Sequence, residues 1–142
     1  MSKAGTILIA TGDGILADSL RFLLELEGFE AKLCDELSLL PALAASEAPG
    51  CVLLDQDVFA RMVADEALLG ELGMPVVLLV GTLTRRVLDR ASAAGIAKVV
   101  EKPLLGEVLL EAIRKAMGAK LRPSLGEDYP GPSRLYPQSP PT

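Results

Sequence analysis

Three side chains suited to phosphoryl chemistry stand close behind apolar runs in this sequence. Asp55 directly follows the run 51–54, Lys102 follows the run 97–100, and Asp13 follows the run 6–10. An aspartate can attack a phosphoryl group, a nearby acid can help to hold a divalent cation, and a lysine can pair with a phosphate oxygen. These residue types suit a small phosphoryl-handling site, provided that the fold brings them together.

Five apolar runs at regular intervals predict five strands. Four of them are almost continuously apolar, as is typical of strands that are covered on both faces, whereas the second is polar enough to be an edge strand. The predicted strands are 6–10, 31–34, 51–54, 76–80 and 97–100.

Helical patterns separate the predicted strands. In the first, four leucines recur at helical spacing and Gly28 stands at the C-terminal cap position. The predicted helices are one from Leu16 to Gly28, one capped by Ser38 with Pro41 in its first turn, one over Val58 to Leu72, one from Leu83 closed by Gly95, and one from Leu109 that fades at Gly118.

The five-fold alternation of strand and helix predicts an α/β, flavodoxin-like, doubly wound fold. Its five-stranded parallel sheet has the order 2-1-3-4-5 and carries five helices. In such sheets the working site lies at the carboxyl ends of the strands. Those ends carry Thr11-Gly12-Asp13, Asp55, Val80-Gly81 and Lys102-Pro103.

Three short motifs resemble the receiver domain of response regulators. They are Val52-Leu53-Leu54-Asp55, Glu27-Gly28-Phe29 and Glu101-Lys102-Pro103, and their spacing is close to that of the FixJ-type branch. The resemblance covers roughly residues 4–118. It implies that Asp55 is the phosphoacceptor position and that Lys102 is the lysine before a cis proline.

Departures from the family pattern indicate a degenerate receiver, or pseudo-receiver. Thr11 and Gly12 replace the two adjacent acids that hold the cation, Val80 replaces the hydroxyl residue of the switch, and Val99 replaces its aromatic residue. The oxygen donors that remain are Asp13, Asp55 and the backbone carbonyl of Asp57. They form a poor set for octahedral Mg²⁺, so we expect a weak or absent metal site, with Asp13 capping the first helix.

A dinucleotide-binding domain is the rival interpretation. The segment after the first strand satisfies a glycine-rich fingerprint through Gly12, Gly14 and Ala17, and Asp35 follows the second strand, where a ribose-binding acid is expected. This interpretation leaves Asp55 and the Lys-Pro pair unexplained, and it lacks a second mononucleotide-binding half.

Composition excludes several function classes. The chain has no histidine and a net charge of -5, which argue against histidine-based catalysis and against a nucleic-acid surface. Cys34 and Cys51 fit no metal-ligand spacing and fall at opposite ends of the predicted sheet, so we expect no disulfide. No leader and no long apolar run is evident, which indicates a cytoplasmic protein that contacts no membrane.

The predicted domain organisation is a receiver-like domain over residues 1–119 and a proline-rich, disordered tail over 120–142. We expect no enzyme activity, no required cofactor, and a sensor histidine kinase or another signalling protein as the partner. The oligomeric state stays open.

The resemblance implies an output face with Arg85, Arg86, Arg90 and Lys98, and a first helix that exposes Asp18, Arg21 and Glu25. A working, Mg²⁺-dependent phosphoacceptor is the second hypothesis.

Overall fold

The computed structural model describes residues 5–34, 39–46, 50–62 and 67–121. The strands are β1 (Thr6–Ala10), β2 (Glu30–Leu33), β3 (Gly50–Asp55), β4 (Val76–Val80) and β5 (Lys98–Glu101). The helices are α1 (Gly14–Leu26), α2 (Leu40–Ser46), α3 (Gln56–Ala60), α4 (Ala67–Gly70), α5 (Arg85–Ala93) and α6 (Gly106–Leu121). Ser38, Asp35 and residues 122–142 lie outside the described ranges, so the predicted cap, ribose-binding acid and tail are not described.

The sheet confirms the predicted order. All five strands pair in parallel in the order β2-β1-β3-β4-β5. The three central strands are buried along their whole lengths, whereas β2 and β5 are partly exposed because each has a neighbour on one side only. The prediction that the second strand is an edge strand is therefore confirmed.

The helices divide the core between the two faces of the sheet. On one face α1 and α6 pack Leu24 and Ile113 against side chains such as Ile9. On the other face the shorter helices pack residues such as Phe59 and Leu40. Since consecutive side chains of a strand point to opposite faces, an almost continuously apolar strand fills both layers at once.

Turn chemistry fixes the ends of the longer helices. The Asp13 carboxylate caps α1 by accepting the backbone N–H groups of Ile15 and Leu16. Gly28 and Gly95 end their helices with φ angles of 93° and 81°, a region where a side chain is strained. The predicted cap and both terminal glycines are confirmed, as is Pro41 in the first turn of α2.

Two helices differ in extent from their predictions. The third predicted helix, Val58 to Leu72, starts earlier, at Gln56, and α3 ends at Ala60. Beyond it, i→i+3 backbone hydrogen bonds from Arg61 and Met62 form a turn, and the Met62 side chain is buried in the core. The helix α4 follows separately. The last helix continues through Gly118 to Leu121, because one interior glycine costs a helix only about 1 kcal/mol.

Candidate functional site

The carboxyl ends of β1, β3 and β5 bring Thr11, Asp55 and Lys102 together. Ala10 pairs with Leu54 in the parallel register, so Thr11 emerges beside Asp55. On the other side, the Lys102 N–H donates to the Val80 carbonyl and continues the β4–β5 ladder. The predicted grouping of Asp55 with Lys102 is thus present, and the Lys102–Pro103 peptide bond is cis, as the resemblance implied.

Asp55 is a buried carboxylate with a partner on each oxygen. Its exposed fraction is 3%. The Thr11 hydroxyl donates to Oδ2 over 2.6 Å, and the Lys102 ammonium group donates to Oδ1 over 3.0 Å. Because a buried charge is tolerated only when it is paired and hydrogen-bonded, these two contacts make the burial of Asp55 possible.

The backbone orients the Thr11 hydroxyl. The N–H of Asp13 donates to Thr11 Oγ1 over 3.1 Å, which occupies the acceptor side of this oxygen. The hydroxyl proton is then directed at Asp55. A short chain of bonds therefore runs from the turn after β1 to the Asp55 carboxylate.

The oxygen donors expected for Mg²⁺ do not converge. Asp13 uses Oδ1 to cap α1, and Asp57 is an exposed residue inside α3, where carbonyl groups point toward the helix C-terminus and away from Asp55. Among the described residues, no three acids, cysteines or histidines form a group that could hold a metal ion. With one buried carboxylate that is already paired, the residues present do not fit octahedral Mg²⁺.

The loop after β4 is held by two side chains that the sequence analysis did not identify. Gln56 Oε1 accepts the N–H of Gly81 over 2.9 Å, and Glu101 Oε2 accepts the N–H of Leu83 over 3.0 Å. At the altered switch positions, Val80 is buried and Val99 is half-buried. Gln56 and Glu101 therefore hold the loop next to Val80, which has no hydroxyl group.

The predicted strand register could have identified Thr11, because the order 2-1-3-4-5 places the residue after β1 next to the residue that ends β3. Gln56 and Glu101 gave no comparable signal. Their contacts depend on where α3 begins and on the path of the loop, and neither is encoded in a short motif.

The glycine-rich segment is arranged as a helix cap. Gly12 is exposed, Gly14 is the first residue of α1, and Ala17 is buried against the core. A pyrophosphate at this helix N-terminus would need the N–H groups that the Asp13 carboxylate already accepts. The described geometry gives the dinucleotide interpretation no support.

The predicted surface residues are mostly exposed. Arg85, Arg86 and Lys98 are exposed and Arg90 is half-buried, while the first helix exposes Asp18, Arg21 and Glu25. Cys34 and Cys51 are both buried, and no disulfide joins them. None of the described helices is long and apolar enough to cross a bilayer.

Solved structures share this fold, although no family model and no curated protein matches the chain. Full-length FixJ from B. japonicum is 26% identical, with a TM-score of 0.67 over 84% of this chain and 60% of the FixJ chain. A CheY-like response regulator receiver domain protein from Methanospirillum hungatei JF-1 is 23% identical, with a TM-score of 0.67 over 82% of this chain and 96% of the other. NtrX from Brucella abortus is 23% identical, with a TM-score of 0.70 over 83% of this chain and 27% of NtrX.

At these identities the likeness is one of fold, and the chain spans 60% of the FixJ chain. The shared fold includes the parallel five-stranded sheet in the order β2-β1-β3-β4-β5. The chain therefore has the fold of the response-regulator receiver domains, FixJ among them.

Proposed function

We propose that this chain is an atypical response-regulator receiver that acts in two-component signalling by binding other proteins, with weak or no phosphorylation at Asp55. One observation carries the proposal: both carboxylate oxygens of Asp55 already bond to protein groups, Thr11 on one side and Lys102 on the other. A carboxylate that is neutralised in this way does not depend on a cation for its burial.

The Thr11 contact opposes metal-assisted phosphorylation. A cation at Asp55 Oδ2 would compete with the Thr11 hydroxyl for this oxygen, and a hydrogen bond to a charged group contributes about 1.5–3 kcal/mol. Asp13, the acid that the sequence offers after β1, already uses Oδ1 of its carboxylate to cap α1. Phosphorylation at Asp55 is therefore expected to be weak.

The contacts of the loop after β4 support a fixed rather than a switched state. Val80 has no hydroxyl to donate to a phosphate, and the loop is held by Gln56 at Gly81 and by Glu101 at Leu83. These bonds form without any modification of Asp55. A receiver with such a loop is expected to present the same surface to its partners whether or not Asp55 is phosphorylated.

The outer face of α1 supports contact with a protein. Ile15, Phe22 and Leu26 are 81%, 68% and 67% exposed, and their spacing places them along one side of the helix. Beside them, Arg21 and Glu25 form an exposed ion pair. Large apolar side chains in a row, edged by charge, are typical of a protein interaction site. A sensor histidine kinase or another signalling protein is the proposed partner.

An active, Mg²⁺-dependent phosphoacceptor is the second candidate function. The observation that favours it is the 3.0 Å contact between Lys102 and Asp55, which leaves a lysine in position to pair with a phosphate oxygen. The two candidates differ in what they predict for metal binding.

An NMR titration with Mg²⁺, with and without beryllofluoride, separates the two candidates. The proposal predicts no saturable shifts at the amides of Asp13, Asp55, Asp57, Val80 and Lys102 in the wild-type protein. The matched variant Thr11→Asp restores an acid beside Asp55 and is expected to gain Mg²⁺-dependent shifts. Saturable shifts confined to these amides in the wild-type protein would instead establish the active phosphoacceptor.

A binding assay with purified sensor kinases tests the partner contact. The variant Asp55→Asn is expected to bind like the wild type, whereas Phe22→Asp is expected to bind weakly, because it places a charge on the exposed face of α1. Loss of binding in Asp55→Asn alone would contradict a phosphate-independent interaction.

A further inference from the structure

A small cavity lies between α3, β4 and α5. Its volume is about 110 Å³. Most of its wall is apolar and is formed by Phe59 and Ala60 of α3, Leu78 of β4 and Val87 of α5. For comparison, an apolar cavity of about 150 Å³ binds benzene. The space therefore suits one small apolar group.

The polar part of the wall is positively charged. Arg86 and Arg90 lie one turn apart on the same side of α5, and both line the cavity. The guanidinium group of Arg90 stands 4.5 Å from the centre of the Phe59 ring, which holds this charge against the apolar wall. Among the described lining residues there is no carboxylate.

The two halves of the wall define the chemistry of a ligand. The apolar half excludes a bare, strongly hydrated anion such as phosphate, because such an ion cannot fill it favourably. The exposed Arg86 guanidinium favours an anionic head, and the carboxylate is the anion that a guanidinium fork matches in shape. The arginine side of the cavity wall is positively charged, whereas the chain as a whole has a net charge of -5.

We propose that this cavity binds a small amphipathic carboxylate, a short-chain or aromatic acid. Its apolar body packs against Phe59, Leu78 and Val87, and its carboxylate pairs with Arg86 beside Arg90. The side-chain partners of Asp55, Thr11 and Lys102, do not line the cavity, so the site is distinct from that carboxylate.

The cavity also has a link to the loop after β4. Gln56 lines the cavity and accepts the N–H of Gly81 through its side-chain carbonyl. A ligand in the cavity is therefore expected to shift the Gly81 amide resonance along with those of the wall. This shift is a readout that a ligand bound elsewhere on α5 does not produce.

The test is an NMR titration of the full chain with benzoate and butyrate. Saturable shifts are expected at the amides of Phe59, Leu78, Val87 and Gly81. Two matched ligands separate the contributions: acetate lacks the apolar body, and benzyl alcohol lacks the charge. Each is expected to bind more weakly than benzoate by a factor of about ten or more. Absence of shifts with benzoate, or equal shifts with acetate, would overturn the proposal.

Variants of α3 and α5 complete the test. Arg86→Gln is expected to weaken benzoate binding by about tenfold, while Arg85→Gln, which changes the neighbouring exposed arginine outside the cavity wall, is expected to have no effect. Ala60→Leu keeps both charges and fills the space, so it is expected to abolish binding. Unchanged affinity in both Arg86→Gln and Ala60→Leu would show that benzoate binds elsewhere and would refute the assignment.

Discussion

Asp55 depends on two short contacts for its burial, and the contact from Thr11 is the one that distinguishes this site. The family resemblance identified what was missing at positions 11 and 12, namely the acids. The structure adds what replaces them, a hydroxyl that donates directly to the carboxylate. At position 11 a hydrogen-bond donor to Asp55 thus stands where the family resemblance implies a ligand for the cation.

The variant Thr11→Val is expected to lower the free energy of unfolding by about 1–3 kcal/mol, because it leaves one oxygen of a buried charge without its donor. Urea denaturation measures the change. The matched control is Thr82→Val at an exposed position, for which a change near zero is expected. Equal effects of the two variants would mean that the Thr11 bond contributes nothing to stability.

Burial raises the pKa of the Cys51 thiol from 9.0 to about 12, since the apolar core disfavours the thiolate. The folded state therefore binds this proton more tightly than the unfolded state does. The resulting stabilisation is complete below pH 9 and is lost as the pH rises toward 12, with a slope of up to about 1.4 kcal/mol per pH unit.

The measurement is urea unfolding at several alkaline pH values, with Cys51→Ala as the reference. The difference in stability between the wild type and this variant is expected to shrink above pH 9. A difference that is constant with pH would contradict the burial effect. Below pH 9 the native thiol is also expected to resist alkylation until the chain unfolds.

At the scale of elements, the cap of α1 determines whether Asp13 acts as a structural or a metal-binding residue. Asp13→Ala is expected to cost about 1 kcal/mol, and Asp13→Asn close to nothing, because asparagine caps a helix as well as aspartate does. Thermal or urea unfolding should give the same two values with Mg²⁺ and with EDTA. A Mg²⁺-dependent cost of Asp13→Asn would identify the carboxylate as a ligand.

The pairing of β1 with β3 requires a glycine at its start. A Cβ at Gly50 would stand 1.7 Å from the carbonyl oxygen of Thr6, a backbone atom in the neighbouring strand. Gly50→Ala is therefore expected to destabilise the protein by about 1–3 kcal/mol or more, since the strands must separate locally.

Gly12→Ala is the matched control for Gly50→Ala, because nothing lies within 4 Å of the corresponding Cβ. Its unfolding free energy in urea is expected to stay within about 0.5 kcal/mol of the wild type. Similar losses in both variants would show that the cost comes from adding a methyl group to any glycine rather than from the close approach to Thr6.

The strands were predictable from the sequence because a buried parallel strand needs an unbroken apolar run, and β1 and β4 match their predicted limits. The end of α3 was not predictable. Val58 to Leu72 contains enough apolar residues for one helix, but the turn at Arg61 depends on Met62 being drawn into the core. Such tertiary contacts override local preference.

At the scale of the whole molecule, the sheet separates two apolar layers that share no side chains. Ile113 belongs to the layer under α1 and α6, and Val58 belongs to the layer under the shorter helices. Fold class and strand order follow from the alternation of elements, but the division of the residues between the layers depends on the observed register.

The effects of Ile113→Val and Val58→Ala on the free energy of unfolding are expected to add within about 0.5 kcal/mol, because the sheet lies between them. The pair Ile113→Val and Ile9→Val, within one layer, is the comparison and is expected to deviate more. Urea denaturation of the single and double variants measures both couplings. Strong coupling across the sheet would contradict the separation of the layers.

The central position of β1 has a consequence for biosynthesis. Although β1 leaves the ribosome before β2 and β3, it pairs with both of them, and Gly50–Asp55 emerges only after the three elements in between, α1, β2 and α2. Until then, one edge of an almost continuously apolar strand is open to other chains. The nascent protein is therefore most prone to aggregation, and most dependent on chaperones, while its third strand is still being synthesised.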